Sequence, residues 1–141
     1  EMFENVVVGA DASETAAVAV ARAAQLAALC GATLHVVTAY KSKSTNLSGV
    51  PEEFSYSIGS DAADALLSEL AFTAKMAGTE VVPHAMTTDA ADAILEVADE
   101  VGADLIVVGN RGMKGARRVL GSIPNSISHS ARCSVLIVQT S

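Results

Sequence analysis

Apolar residues in this chain follow two rhythms: short β-branched runs that end on glycine or a polar turn, and longer alanine- and leucine-rich stretches with helical spacing. "MFENVVVGAD" holds the first β-branched run and predicts a buried strand over roughly residues 3 to 8. "SETAAVAVARAAQLAALCG" then turns helical. Ser13 is placed to cap it, Glu14 and Thr15 fill its first turn, eight alanines run from Ala16 to Ala28, and Gly31 stands where a C-terminal capping residue belongs. A helix so rich in alanine can lie close against a sheet. "ATLHVVTAY" predicts a second strand, roughly residues 33 to 39.

From Lys41 to Gly59 the composition shifts to Ser, Gly, Pro and Asn without clear periodicity, which predicts a mobile connection. A second helix is expected over residues 60 to 77, with Leu66, Leu67, Leu70 and Met76 on its apolar side and Gly78 closing it. "TEVVPHAM" reads as a short strand that Pro83 assigns to a sheet edge. Thr88 can cap the helix "DAADAILEVADEVG", where Asp89 and Asp92 lie near the positive end and Ile94, Leu95, Ala98 and Val101 form the apolar stripe. "ADLIVVG" is a strand, a helix starts near Ser122, and "SVLIVQ" forms a last strand from 134 to 139. Strict alternation of strand and helix predicts an α/β fold: an open five-stranded parallel sheet, Rossmann-like, with helices on both faces and right-handed crossovers; the order expected for it is 3-2-1-4-5, which sets the ends of the first and fourth strands side by side.

Composition narrows the picture. The 141 residues are expected to form one domain, 1–141. Half are hydrophobic, yet no apolar run approaches the ~20 residues of a membrane span, and neither a basic leader nor a cleavage-site pattern opens the chain. The expectation is a soluble, cytoplasmic protein without a membrane role, its Cys30 and Cys133 reduced and buried. Sixteen acids against nine bases argue against a nucleic-acid partner, which requires a clustered basic face. Yet after Asp104 no acid remains, while Arg111, Lys114, Arg117, Arg118 and Arg132 all follow.

Most of that charge lies in "GNRGMKGARRVLGS", residues 109–122. Gly109, Gly112, Gly115 and Gly121 let the backbone approach a ligand and turn its N–H groups inward as an anion nest. Gly121-Ser122 then opens a helix whose first N–H groups favour a phosphate oxygen. Lys114, Arg117 and Arg118 can complete the charge match. In an open parallel sheet ligands bind beyond the strand C-termini where strand order reverses. With the expected order, that point is floored by Gly9, Ala10 and Asp11 on one side and by Gly109, Asn110 and Arg111 on the other. Asp11 can cap the following helix, accept a ribose hydroxyl, or do both. Neither G-x-G-x-x-G nor G-x-x-x-x-G-K-[ST] occurs, so dinucleotide and P-loop phosphoryl-transfer chemistries lack their fingerprints.

"VVVGADAS", "ADLIVVGNRG" and "GSIPNSISHSARCSVLIV" together resemble the universal stress protein family, over essentially the whole chain and most weakly between Lys41 and Gly59. The resemblance implies a five-stranded parallel α/β fold and binding of ATP, or in some members cyclic AMP, through G-x2-G-x9-G-[ST]. On that pattern Asp11 matches the ribose-contacting acid, Gly9 and Ala10 its backbone neighbours, and Val36 the strand-two position whose main chain meets the adenine. Gly109, Gly112, Gly121 and Ser122 match the phosphate motif, with Val108 and Ile123 flanking it and Arg111 within reach of a phosphate. Between Gly112 and Gly121 lie eight residues, "MKGARRVL", where the ATP-binding pattern has nine; Gly115 can absorb the shortening. The implied cofactor is ATP, AMP or cyclic AMP, with magnesium accompanying ATP.

No catalytic constellation stands out. His35, His84 and His129 are separated in sequence without an evident carboxylate or cysteine partner and read as structural; Ser122 lacks a nucleophile elbow; Asp99 and Glu100 fall on a solvated helix end; and Met76, Met86 and Met113 read as packing residues. The expectation is a regulatory nucleotide-binding protein acting in stress response or signalling with at most slow ATP hydrolysis. A dimeric interaction module independent of nucleotide is the alternative. The apolar last strand, exposed at an edge, predicts a homodimer through residues 134–139 beside an unidentified regulatory protein partner.

Overall fold

Five β-branched runs pair side by side in a computed structural model whose described residues are 2–11, 14–40, 60–110 and 122–140. The strands are β1 (Asn5–Gly9), β2 (Thr33–Ala39), β3 (Glu80–Met86), β4 (Leu105–Gly109) and β5 (Ser134–Val138); the helices are α1 (Glu14–Cys30), α2 (Ser60–Met76), α3 (Ala90–Val101) and α4 (Ser122–Ser130). All strand pairs are parallel, as the alternation predicts, and they stand in the expected order β3-β2-β1-β4-β5. The order reverses between β1 and β4, where Val6 faces Leu105 and Val8 faces Val107. The first strand begins at Asn5 rather than near residue 3, because pairing with β2 starts at Asn5↔Thr33 and the preceding amide of Glu4 turns to the Asp104 carboxylate. Ser13 and the connection from Lys41 to Gly59 lie outside the described residues.

Helices cover both faces. Alternate residues of the central strands feed two cores: Val6, Val8, Leu34, Val36, Leu105 and Val107 meet α1 and α2, and Val7, Val37, Ile106 and Val108 meet α3 and α4. Burial on both sides explains why these strands are continuous apolar runs rather than alternating ones. Ala19, Ala23, Ala24 and Ala27 are buried against the sheet, so α1 does lie close.

Two helix details differ from the sequence expectation. In α2 the buried row is Ala63, Leu67, Leu70 and Ala74, spaced by three or four residues, whereas Leu66 is half-buried and Met76 is 73% exposed. Ala74 takes the core position, and Met76, two residues on, swings to the solvent side. In α3 the cap is Asp89 rather than Thr88: the Asp89 backbone is extended and its Oδ1 accepts the Asp92 N–H at 3.0 Å. The apolar stripe is fully buried at Ala93, Ile94, Val97 and Ala98, with Leu95 and Val101 packed at its margin. Gly31 and Gly102 close α1 and α3 with φ of 69° and 64°, a left-handed turn that a side chain would strain.

The edges are β3, which carries Pro83 as expected, and β5. No helix among the described residues is long and apolar enough to cross a membrane. Cys30 and Cys133 are free and partly exposed rather than buried; they pack beside opposite faces of the sheet. Burial, with Asp104 and Asp99 nearby, pushes the Cys133 thiol up.

Candidate functional site

Where strand order reverses, the residues at the strand ends are too small to fill the space between helices. Gly9, Ala10, Ala39 and Gly109 end or follow strands, and Ala16, Ala19 and Ala90 face them from α1 and α3. The result is a cavity of about 320 Å³ whose buried floor includes Val37, Ile94 and Val108 and whose lining also includes Asp11, Thr15, Ile123 and Pro124. The volume is at the lower end of the range for small-molecule sites. Three helices, α1, α3 and α4, present first-turn residues to it: Thr15 and Ala16, Ala90, and Ile123 and Pro124. Their N-termini bring positive dipole ends to one space, which favours an anion there.

Both loops that frame the cavity are tied to the strand beside them. The Ala10 N–H donates to the Val37 carbonyl at 2.9 Å, and the Thr38 hydroxyl donates to the Ala10 carbonyl at 2.6 Å. On the other side the Asn110 N–H donates to the Val138 carbonyl at 3.0 Å, and Asn110 Oδ1 accepts both the N–H and the hydroxyl of Thr140 at 2.9 Å. Each tie draws its loop outward, away from the β1–β4 seam. The glycines at the strand ends also serve packing: a Cβ on Gly9 would lie 2.4 Å from Ile94 Cδ1, and one on Gly109 would lie 3.1 Å from Thr140 Cγ2.

Of the residues singled out in the sequence, Gly9, Ala10, Asp11, Val108, Gly109 and Ile123 come together around the cavity. The Val36 side chain points away, into the core under α1 and α2, and its neighbour Val37 lines the cavity. Arg111, Gly112 and Gly121 lie outside the described residues, as do Lys114, Gly115, Arg117 and Arg118; Ser122 is the first residue of α4. The alanine lining was not apparent in the sequence, because alanine carries no chemistry and reads as a helix former. Among the described residues no three His, Cys, Asp or Glu side chains gather as metal ligands.

A polar cluster runs from mid-sheet to the opposite end of the strands. Asp104 accepts the N–H groups of Glu4 at 3.0 Å and Asn5 at 3.1 Å. His35 and His84 are not isolated, as their sequence separation implies: Nδ1 of His35 lies 3.0 Å from Nε2 of His84, and His35 Nε2 lies 3.2 Å from Asn5 Oδ1. With Asn5 Oδ1 accepting from His35 Nε2–H, the bare His35 Nδ1 accepts from His84 Nε2–H. Burial lowers the pKa of His35, the neighbouring His84 charge lowers it further, and Glu80 partly offsets both. Burial likewise lowers His84, against the pull of Glu100. His129 sits apart, exposed in the last turn of α4.

Known proteins place this architecture. Residues 2–139 match the Universal stress protein family. A universal stress protein of Mycobacterium tuberculosis is 36% identical over 143 residues, covering 98% of this chain and 97% of that protein. A crystal structure of a universal stress protein in complex with cAMP superposes with a TM-score of 0.78 at 37% identity, over 100% of both chains. The fold is shared more distantly with the Archaeoglobus fulgidus universal stress protein in complex with dAMP, at a TM-score of 0.74 and 24% identity, over 99% of this chain and 100% of that one. The chain belongs to the universal stress protein family.

Proposed function

We propose that this protein binds an adenine nucleotide, as ATP, AMP or cyclic AMP, in the cavity at the β1–β4 switch point and uses the bound state to bias its contacts with partners in stress response or signalling. The observation that carries this reading is the 320 Å³ cavity itself, lined by small residues, bordered by Asp11 and facing three helix N-termini. An apolar floor suits a base, an acid at the rim suits a ribose hydroxyl, and helix N-termini suit phosphate. The complex with cAMP formed by a relative of 37% identity supports the same ligand class.

In this reading Gly9, Ala10, Asp11 and the main chain of β2 at Val36 hold the nucleoside. Val108, Gly109, Arg111, Gly112, Gly121, Ser122 and Ile123 serve the phosphates. Magnesium enters only as a companion of the ATP phosphates. The protein is a receptor in the cytoplasm rather than an enzyme, with hydrolysis slow at most. Calorimetric titration of nucleotide-stripped protein with ATP, ADP, AMP and cyclic AMP, with and without magnesium, tests it. Binding of at least one of the four is expected; absence of heat and of thermal stabilisation with all four leaves a nucleotide-independent interaction module.

The second element of the proposal is a homodimer through the β5 edge. Leu136 is 41% exposed there on an outer strand, a free edge that a second copy can cover. Light scattering is expected to give twice the chain mass, and Leu136→Lys to shift it toward the monomer. A monomeric mass for the unaltered protein at micromolar concentration rejects this interface.

A further inference from the structure

We infer that Thr38 is a positioning residue of the cavity: its hydroxyl fixes the peptide joining Ala10 to Asp11 and so sets where the Asp11 side chain begins. The inference rests on the nucleotide reading above. Thr38 is next to last in β2 and 1% exposed, with its side chain on the α1 and α2 side. A hydroxyl so deep requires a partner, and it finds one in the Ala10 carbonyl at 2.6 Å.

The location of that acceptor gives the bond its role. Register pairing of β1 with β2 ends at Gly9↔Val37, and the chain then leaves the ladder. The next amide, that of Ala10, still donates to the Val37 carbonyl. Beyond it, the carbonyl of Ala10 is held by a side chain instead of by the sheet. The two bonds grip residue 10 on both sides, which leaves its ψ and the Ala10–Asp11 peptide plane little freedom. Asp11 follows directly on the rim of the cavity, and Ala10 itself lines it.

Volume alone does not account for threonine here. Valine has nearly the same shape, suits a buried strand equally well and carries no hydroxyl to satisfy. Thr38→Val therefore removes the bond and keeps the packing, whereas Thr38→Ser keeps the bond.

Titration of adenine nucleotide into the full chain tests the assignment. Thr38→Val is expected to weaken binding about three- to tenfold, the loss of one neutral hydrogen bond expressed through position, and Thr38→Ser to restore most of the loss. In the Asp11→Asn background the valine substitution should cost much less than in the unaltered protein, because both changes act on one contact. Losses that simply multiply, or Thr38→Val binding as the unaltered protein does, overturn the role of Thr38 while leaving nucleotide binding intact. An unaltered protein that binds no nucleotide overturns both. Should Thr38→Val fold poorly, Thr38→Ala and the amide resonance of Asp11 in the ligand-free protein carry the test. The resonance should shift with Val or Ala and stay near its place with Ser, and an unmoved resonance counts against the assignment.

Discussion

At the N-terminal end of the sheet polar side chains close on one another: Asp104 takes two amides, the Thr79 hydroxyl donates to the Ala32 carbonyl, and His35 joins Asn5 to His84, which stands further along its strand. At the C-terminal end, Gly9, Ala10, Ala39 and Gly109 leave space open, and the polar side chains near them, Thr38 and Asn110, are turned onto backbone and the adjoining chain. The same strands thus carry an end that is filled and an end that is kept empty. The difference lies in side-chain size and in the direction of hydrogen bonds, since both ends share the same ladder. Substitutions at the closed end should act on stability, and substitutions at the open end on binding.

The largest test of that division is Asp104→Ala. It strips the acceptor from the Glu4 and Asn5 amides at the start of β1, and a loss of about 1–3 kcal/mol in urea-unfolding stability is expected. Nucleotide affinity of the folded protein should remain within about twofold, because the cavity is at the other end of the strands. A large affinity loss would mean that the two ends are coupled.

Ala16→Leu makes the converse test. Ala16 is buried and lines the cavity from the first turn of α1, so a leucine there extends into open volume. Affinity should fall about tenfold or more, a change of roughly 1.4 kcal/mol, with the unfolding midpoint little altered. Unchanged affinity would place the ligand elsewhere.

The smallest effect is a pH dependence of the histidine pair. Both His35 and His84 have pKa values lowered from 6.5, so below that pH the unfolded chain takes up protons that the folded chain resists. Their contribution to stability is complete above 6.5 and is lost as pH falls toward the depressed folded values. His84→Gln should flatten the stability profile over that interval, measured by thermal melts at constant ionic strength. A profile as steep in the variant would assign the dependence to other groups.

Much of this division was legible in the sequence because it depends on local signals. β-branched runs mark the strands, two of them closed by glycine, and the glycine after each of the first three helices marks its end, so element order followed from local signals, whereas sheet order is a property of the whole chain. Gly9, Ala10, Asp11 and Gly109 were placed at the cavity because they directly end or follow strands. What was not legible depends on register. His35 and His84 meet because β2 and β3 pair with His35 opposite Val82 and Val37 opposite His84, an offset that neither strand encodes alone. Thr38 reads as one more β-branched strand residue until its hydroxyl is seen against Ala10. Asp89 replaces Thr88 as cap, since two adjacent capping residues leave the choice to the path of the incoming chain.

The neighbouring position of β1 and β4 has a consequence for how the molecule comes into being. Asp104 reaches Glu4 and Asn5 across sequence separations of 100 and 99 residues, and the cavity lies between strands equally distant along the chain. Closing so long a loop costs chain entropy before its contacts form, which slows folding. No fragment that stops before β4 contains the cavity, so a ligand there recognises only the assembled sheet. Ligand at a hundredfold excess over its Kd would then deepen the folded well by about 2.7 kcal/mol, so that under the proposed function nucleotide supply would also set how long the folded protein lasts.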